Sequence, residues 1–229
     1  MRASPTNSKI VHFRSEVWKW YRHEGRLFPW RKGSRTAYEV LVSEVLLQRT
    51  RAEVVRSYYG QFLDRYPTWR SLARADVKTL RKSLRPIGLW RQRSALLHSL
   101  GKCLRRTKGR LPSTREELEK LPSVGQYIAS AVLSICHGKR EPLLDVNMAR
   151  LLERCFGPRK LADIRDDPYL QTLARSVLPK RKIREFNWAM LDFASLVCTA
   201  RNPDHQACPL RTRCKYWRDH RRTKPTTMA

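Results

Sequence analysis

Apolar residues recur at helical spacing along nearly the whole chain, and the alternation of aromatic and β-branched residues that marks a sheet is missing. That spacing predicts an all-α fold. Helices are expected at 11–22, 36–49, 51–65, 75–84, 91–106, 114–120, 126–137, 146–156, 167–177 and 183–197. Between the first two, Phe28-Pro29-Trp30-Arg31 turns the chain, because proline disfavours a helical conformation at the residue before it. With 229 residues, 41% of them apolar, the chain can bury one large core or two small lobes, which excludes global disorder. It carries no internal repeat and no low-complexity linker.

Charge narrows the partner. The chain has 48 Lys plus Arg against 20 Asp plus Glu, a net charge of +28, which points to a polyanion and first of all to nucleic acid. A membrane is excluded as partner: no stretch approaches the roughly 18 apolar residues of a span, and the cations are scattered rather than gathered on one amphipathic helix. Residues 1–9 are polar with no apolar run behind them, so neither a signal peptide nor an anchor is expected, and the protein is expected inside the cell, in the cytoplasm or nucleoid. Eight cations and two acids follow from Arg201 onward, and residues 219–229 read as a basic tail, lying on DNA or simply solvated.

Ser113-Thr114-Arg115-Glu116 has the form of a capping box opening a short helix. Leu121-Pro122-Ser123-Val124-Gly125 then interrupts the chain before a second helix starts at Gln126. Gly125 lets the backbone of this hairpin approach a ligand, and the N–H groups around Val124, Gly125 and Gln126 make a natural phosphate site. Ile128, Ala131, Val132 and Ile135 hold the second helix in a core. A hairpin between helices also serves plain packing.

The run from Leu121 to Tyr127, followed 18 residues after the tyrosine by Asp145, resembles the signature of the helix-hairpin-helix DNA glycosylases of the endonuclease III and MutY superfamily. Their hairpin usually reads Leu-Pro-Gly-Val-Gly, and Ser123 stands here for the first glycine. The resemblance extends from about Phe28 to Cys214. It implies two helical lobes: a six-helix bundle over 38–140, and a second lobe joining 1–37 to 141–218. DNA would lie between them, with Glu44 and Tyr127 on one side and Asp145 on the other.

On its residues alone, Asp145 in Leu143-Leu144-Asp145-Val146-Asn147 reads as a helix N-cap. The resemblance implies the superfamily's essential aspartate, which stabilises positive charge developing on the sugar and helps activate water; Asn147 would position it. Glu44 shares its helix face with Ala37, Val40, Leu41, Leu47 and Gln48, so its carboxyl group should be buried. Burial without a cationic partner raises a carboxyl pKa and makes a proton donor near neutral pH, a salt bridge to an arginine being the alternative. Ser43-Glu44-Val45-Leu46-Leu47-Gln48 resembles the adenine glycosylase segment whose Glu protonates the leaving base. Tyr127 stands where bifunctional endonuclease III has its lysine nucleophile. A phenol cannot form a Schiff base, so base removal with little or no strand cleavage is implied. Tyr127 would line the base pocket or simply pack.

An enzyme that acts on a base inside a duplex extrudes it and fills the hole with side chains. Two segments suit that task, unless they are ordinary surface loops. Gln48-Arg49-Thr50 ends the Glu44 helix, and Ile87 to Arg93 combines Gly88, the apolar Leu89 and Trp90, and the cations Arg91 and Arg93. Trp30 and Arg31 match the family's Pro-Trp-Arg motif beside the pocket. MutY-type adenine glycosylases usually carry Gly-Leu-Gly-Tyr-Tyr in the wedge loop and add a C-terminal domain for 8-oxoguanine. Here the loop reads Ile-Gly-Leu-Trp-Arg-Gln-Arg and 15 residues follow Cys214, which, like Leu191-Asp192-Phe193, resembles the short Mig-type thymine and uracil mismatch glycosylases. The favoured substrate is T or U opposite G in double-stranded DNA, taken by a monomer in base excision repair. Adenine opposite G or 8-oxoguanine is the alternative. A non-catalytic DNA-binding protein would explain the charge and hairpin but not a buried Glu44.

Six cysteines are present, of which only Cys198, Cys208 and Cys214 cluster. With His205 they reproduce the superfamily's ligand spacing of six, two and five intervening residues, histidine replacing the second cysteine. A 4Fe-4S cluster held by three Cys and one His is implied, since imidazole can ligate cluster iron. The same donors suit zinc, and a fold without metal is the third reading. The role would be structural, closing a basic loop over phosphates. Cys103, Cys136 and Cys155 read as small buried hydrophobes.

Overall fold

The computed structural model describes residues 6–107 and 110–223, and among these all regular structure is helical. The elements are α1 (Asn7–Glu24), α2 (Ala37–Leu47), α3 (Ala52–Arg65), α4 (Trp69–Arg74), α5 (Val77–Leu84), α6 (Trp90–Leu104), α7 (Arg115–Glu119), α8 (Gln126–Ile135), α9 (Val146–Phe156), α10 (Pro168–Val177), α11 (Ile183–Leu196) and α12 (Lys215–Thr223). Short 3-10 turns cover Pro29–Arg31, Arg85–Ile87 and Arg211–Arg213. No described helix is long and apolar enough to cross a membrane. The chain divides into two compact units, 27–139 and a unit joining the N-terminal residues through 26 to those from 140 onward.

The 27–139 unit is a bundle in which α6 packs on α4 and α5, and α2 packs on α3, α6 and α8. Gly101 makes the tightest of these crossings possible: a Cβ there would lie 2.7 Å from the backbone nitrogen of Ala73. Phe28 and Trp30 stack at 4.7 Å inside this bundle's core. The unit therefore takes in residues 27–37, which the sequence-based boundary at 38 grouped with the other lobe.

In the second unit α9 packs against α10, α11 and α12, while α1 lies on α10 and α11. Arginine-to-carbonyl bonds tie it together. Arg14 donates to the carbonyls of Val177, Ser176 and Leu178 at 2.9, 2.5 and 2.8 Å, and Arg140 donates to Leu178 at 2.6 Å. Asp192, fully buried on α11, takes Arg26 by its backbone N–H at 2.9 Å and by an ion pair at 2.8 Å.

Four details differ from the sequence expectation. Helix α4 is six residues long, too short for a periodic signal. Residues 219–223 of the expected tail continue α12, which packs on α9; 224–229 lie outside the described residues. The first-turn cap of α7 is one residue further on, with Thr114 bonded to Glu117 by backbone (3.3 Å) and side chain (2.9 Å). Cys103 is exposed, because it sits on the outer face of the last turn of α6.

Candidate functional site

In the bundle unit, α2 is almost wholly buried from Tyr38 to Leu46, and Glu44 is only 7% exposed among those apolar neighbours. A capping box of Thr36 and Glu39 fixes the start of this helix. Gln48 and Arg49 leave its end exposed, Arg49 in the left-handed region at φ 54°. The second wedge segment makes a similar turn. Gly88 has φ 75° and Leu89 φ 49°, which brings Leu89 out to solvent at the start of α6. Trp90 beside it is flanked by the guanidinium groups of Arg91 and Arg85, 4.6 and 5.5 Å from its ring centre.

The hairpin follows α7. Ser123 adopts φ 54°, in the left-handed region where a glycine carries no steric penalty. Val124 is buried and its N–H bonds to the Leu121 carbonyl at 3.2 Å, while Gly125 is exposed, extended and open, with nothing within 4 Å of a would-be Cβ. No side chain caps α8 at Gly125. That helix start can receive an anion. Tyr127, in the first turn of α8, is half-buried against the bundle core. Trp30 is more deeply placed than a pocket-lining residue need be: it is 7% exposed, stacked on Phe28 and edge-on to Tyr59 at 5.5 Å. Arg31 covers the Phe28 ring at 5.0 Å.

In the other unit Asp145 caps α9. Its Oδ1 accepts the backbone N–H groups of Asn147 (3.0 Å) and Met148 (2.7 Å), and its Oδ2 accepts the Asn147 side-chain amide at 2.8 Å. Asn147 Oδ1 in turn accepts from Arg150 at 3.0 Å, and Arg150 reaches the carbonyls of Cys198 (2.9 Å) and Ala194 (2.8 Å). A continuous chain of hydrogen bonds thus runs from Asp145 to the first residue of the cysteine loop. Arg154, one turn along, donates to the carbonyls of Thr199 (2.6 Å) and Ala200 (2.9 Å) and to the Cys198 sulfur (3.5 Å).

Cys198, His205, Cys208 and Cys214 line one cavity, walled by Leu151, Phe193 and Leu210. Cys155, read from the sequence as a small hydrophobe, lines the same cavity, and these four soft thiols with one imidazole fit an iron-sulfur group. Among the described residues no such side chains converge closely enough to hold a single metal ion. The His205 ring packs on Trp217 of α12 at 4.6 Å. A hydrogen bond from Cys155 draws the Cys214 thiol down to about 6, whereas burial pushes Cys208 up to about 11 and raises Cys198.

Residues 42–180 match the family described as HhH-GPD superfamily base excision DNA repair protein. The chain belongs to the HhH-GPD superfamily. Residues 198–214 match the iron-sulfur binding domain of endonuclease III. The chain is 41% identical over 211 residues to a thymine/uracil-DNA glycosylase of Pyrobaculum aerophilum, covering 90% of this chain and 91% of that protein. The solved structure of a thermostable thymine-DNA glycosylase superposes with a TM-score of 0.87 at 30% identity, covering 94% of this chain and all of that one. Human adenine DNA glycosylase is 30% identical over 91% of this chain, which spans 40% of that longer protein.

Within this HhH-GPD frame, sequence reasoning missed Asn187 and misread Arg93, which it took for a wedge cation facing DNA and which the structure buries. Asn187 is fully buried and bridges the Leu143 N–H (3.0 Å) and the Glu141 carbonyl (2.9 Å), fixing the extended segment that leads into Asp145. Arg93 is 2% exposed and spans both wedge segments. The sequence signal for Asn187 was a polar residue at an apolar position of a helix, which does not name its partners.

Proposed function

We propose that the chain is a monofunctional DNA glycosylase that removes thymine or uracil mispaired with guanine in duplex DNA, as an intracellular monomer. The observation that carries this reading is the end-to-end similarity to thymine/uracil-DNA glycosylase, with the Asp145 arrangement in place. In this reading the electron pair of the N-glycosidic bond leaves with the base, Glu44 supplies a proton to it, and water adds to the sugar carbon and releases a proton to solvent, from which Glu44 is protonated again. Asp145 stabilises the positive charge on the sugar and orients that water, and Asn147 keeps the carboxylate aligned.

Tyr127 borders the base and supplies no amine, so no Schiff base forms and the strand stays intact. Trp30 and Arg31 back the base pocket. Val124, Gly125 and Gln126 hold a phosphate, while Gln48, Arg49 and Thr50 on one side and Gly88, Leu89, Trp90 and Arg91 on the other enter the duplex. Cys198, His205, Cys208 and Cys214 would hold a 4Fe-4S cluster, whose part is to close the basic loop and not to react.

The test is single-turnover excision on labelled duplexes containing T:G, U:G, A:G and A opposite 8-oxoguanine, followed by alkali to reveal abasic sites. Product from T:G and U:G alone is expected, with no cleavage before alkali. Product from the A-containing pairs alone would replace this substrate with adenine. For the loop, the purified protein should contain iron and absorb near 400 nm; a protein prepared without air that shows neither overturns the cluster.

A further inference from the structure

Arg93 lies in the first turn of α6, 2% exposed, with a carbonyl or hydroxyl on every arm of its guanidinium. Nη1 donates to the carbonyls of Ile87 (2.7 Å) and Gly88 (2.6 Å). Nη2 donates to the carbonyls of Leu46 (3.0 Å) and Gln48 (2.5 Å) and to the Thr50 hydroxyl (2.6 Å). Nε points at the Val45 carbonyl at 3.4 Å. Thr50 closes the circuit by donating to Ile87 at 3.2 Å.

A charge buried among neutral acceptors is a poor device for stability alone. Its desolvation costs several kcal/mol, and an apolar residue of similar volume usually serves as well or better. What the guanidinium provides is direction: a rigid planar fork that fixes several acceptors at once. Those acceptors belong to only two places, the end of α2 and the turn before α6. Both places then enter left-handed residues, Arg49 and Gly88-Leu89, that send Gln48, Arg49 and Leu89 outward. Glu44 sits one helical turn before Gln48 on the same helix.

We propose that Arg93 is a positioning residue that locks the two wedge segments and the Glu44 helix end into one rigid body, so that neither wedge must be ordered during base extrusion. This rests on the glycosylase reading above. Unstacking a base takes a few kcal/mol, and loops that had to be immobilised at the same moment would add to that cost. Lysine at position 93 would keep the charge but, with one compact ammonium, could not hold both segments.

The experiment measures extrusion apart from chemistry and binding. In an Asp145→Asn background, 2-aminopurine is placed beside the mispaired base of a U:G duplex, and its fluorescence is followed while anisotropy reports binding. The parent should give a clear rise at saturation. Adding Arg93→Lys should lower the thermal midpoint, because buried carbonyls lose their donor, and should cut that rise at least about fivefold at a temperature where circular dichroism shows the variant folded and anisotropy shows it bound, since the lost element is the wedge rather than the phosphate contacts. An undiminished rise at saturation overturns the proposal, and so does a loss of rise that only tracks a fall in affinity or unfolding. A parent that raises no signal and a wild type that excises neither T nor U would instead defeat the glycosylase reading.

Discussion

Glu44 and Asp145, the two carboxyl groups of the proposed chemistry, stand in different surroundings, one inside a buried helix and one at a helix start. In the bundle unit Glu44 is only 7% exposed, on a helix that is buried from Tyr38 to Leu46 apart from Glu39. In the other unit Asp145 is fixed by donors: two backbone N–H groups and an amide hold its two oxygens, and arginines continue the network behind it. Packing keeps water away from a group and suits one that must deliver a proton. Converging donors keep a carboxylate aimed and suit one that must face a developing cation.

That contrast can be broken at its strongest point first. Asp145→Asn keeps the shape of the cap but loses the charge, and should slow base excision at least about 10³-fold while leaving DNA affinity within a few fold. Gel-shift and single-turnover assays on the same preparation decide it; loss of both together would return Asp145 to a structural cap. Glu44→Gln should cost about 10²-fold in rate, with binding again retained. Equal effects of the two on binding would erase the distinction between them.

Asp167 sharpens the donor side of the comparison, because it is a buried cap with no proposed catalytic role. Burial works to raise its pKa, but the backbone N–H groups of Leu161, Leu170 and Lys160 outweigh that and leave it below the ordinary value. A depressed folded-state pKa means that its stabilisation is complete above the unfolded value, near about 4, and fades as pH falls through the folded one. Asp167→Asn should therefore lower stability by about 1–3 kcal/mol at neutral pH, a deficit that shrinks on acidification. Thermal melts of both proteins across that range check it; a deficit independent of pH would exclude the charge as the cause. The smallest effect expected is at the hairpin. Ser123→Gly relieves a left-handed serine and should stabilise by no more than about 1 kcal/mol, with excision unchanged.

Local patterns were what the sequence disclosed. Asp145 as a cap, the break at Leu121 to Gly125, the helices over 146–156 and 183–197 and the burial of Glu44 all follow from spacings within one or two turns. What stayed hidden depends on partners far apart in the chain. Arg93 meets Val45 across 48 positions, and Arg26 meets Asp192 across 166. Periodicity reports that a side chain faces inward, but not what it meets there. Helix α12 was missed for another reason: its strongly basic composition looks like a solvated end, although its packing against α9 orders it.

Five arginines, Arg14, Arg93, Arg140, Arg150 and Arg154, anchor distant parts of the fold on peptide carbonyls. A carbonyl does not titrate, and a short bond to one in a partly buried place is little screened by mobile ions. Attraction to phosphate behaves otherwise, falling steeply as salt rises because bound counterions are no longer released with profit to entropy. Folding and DNA affinity therefore answer to different variables, and a wide band of ionic strength should exist in which the protein lets go of DNA while remaining intact.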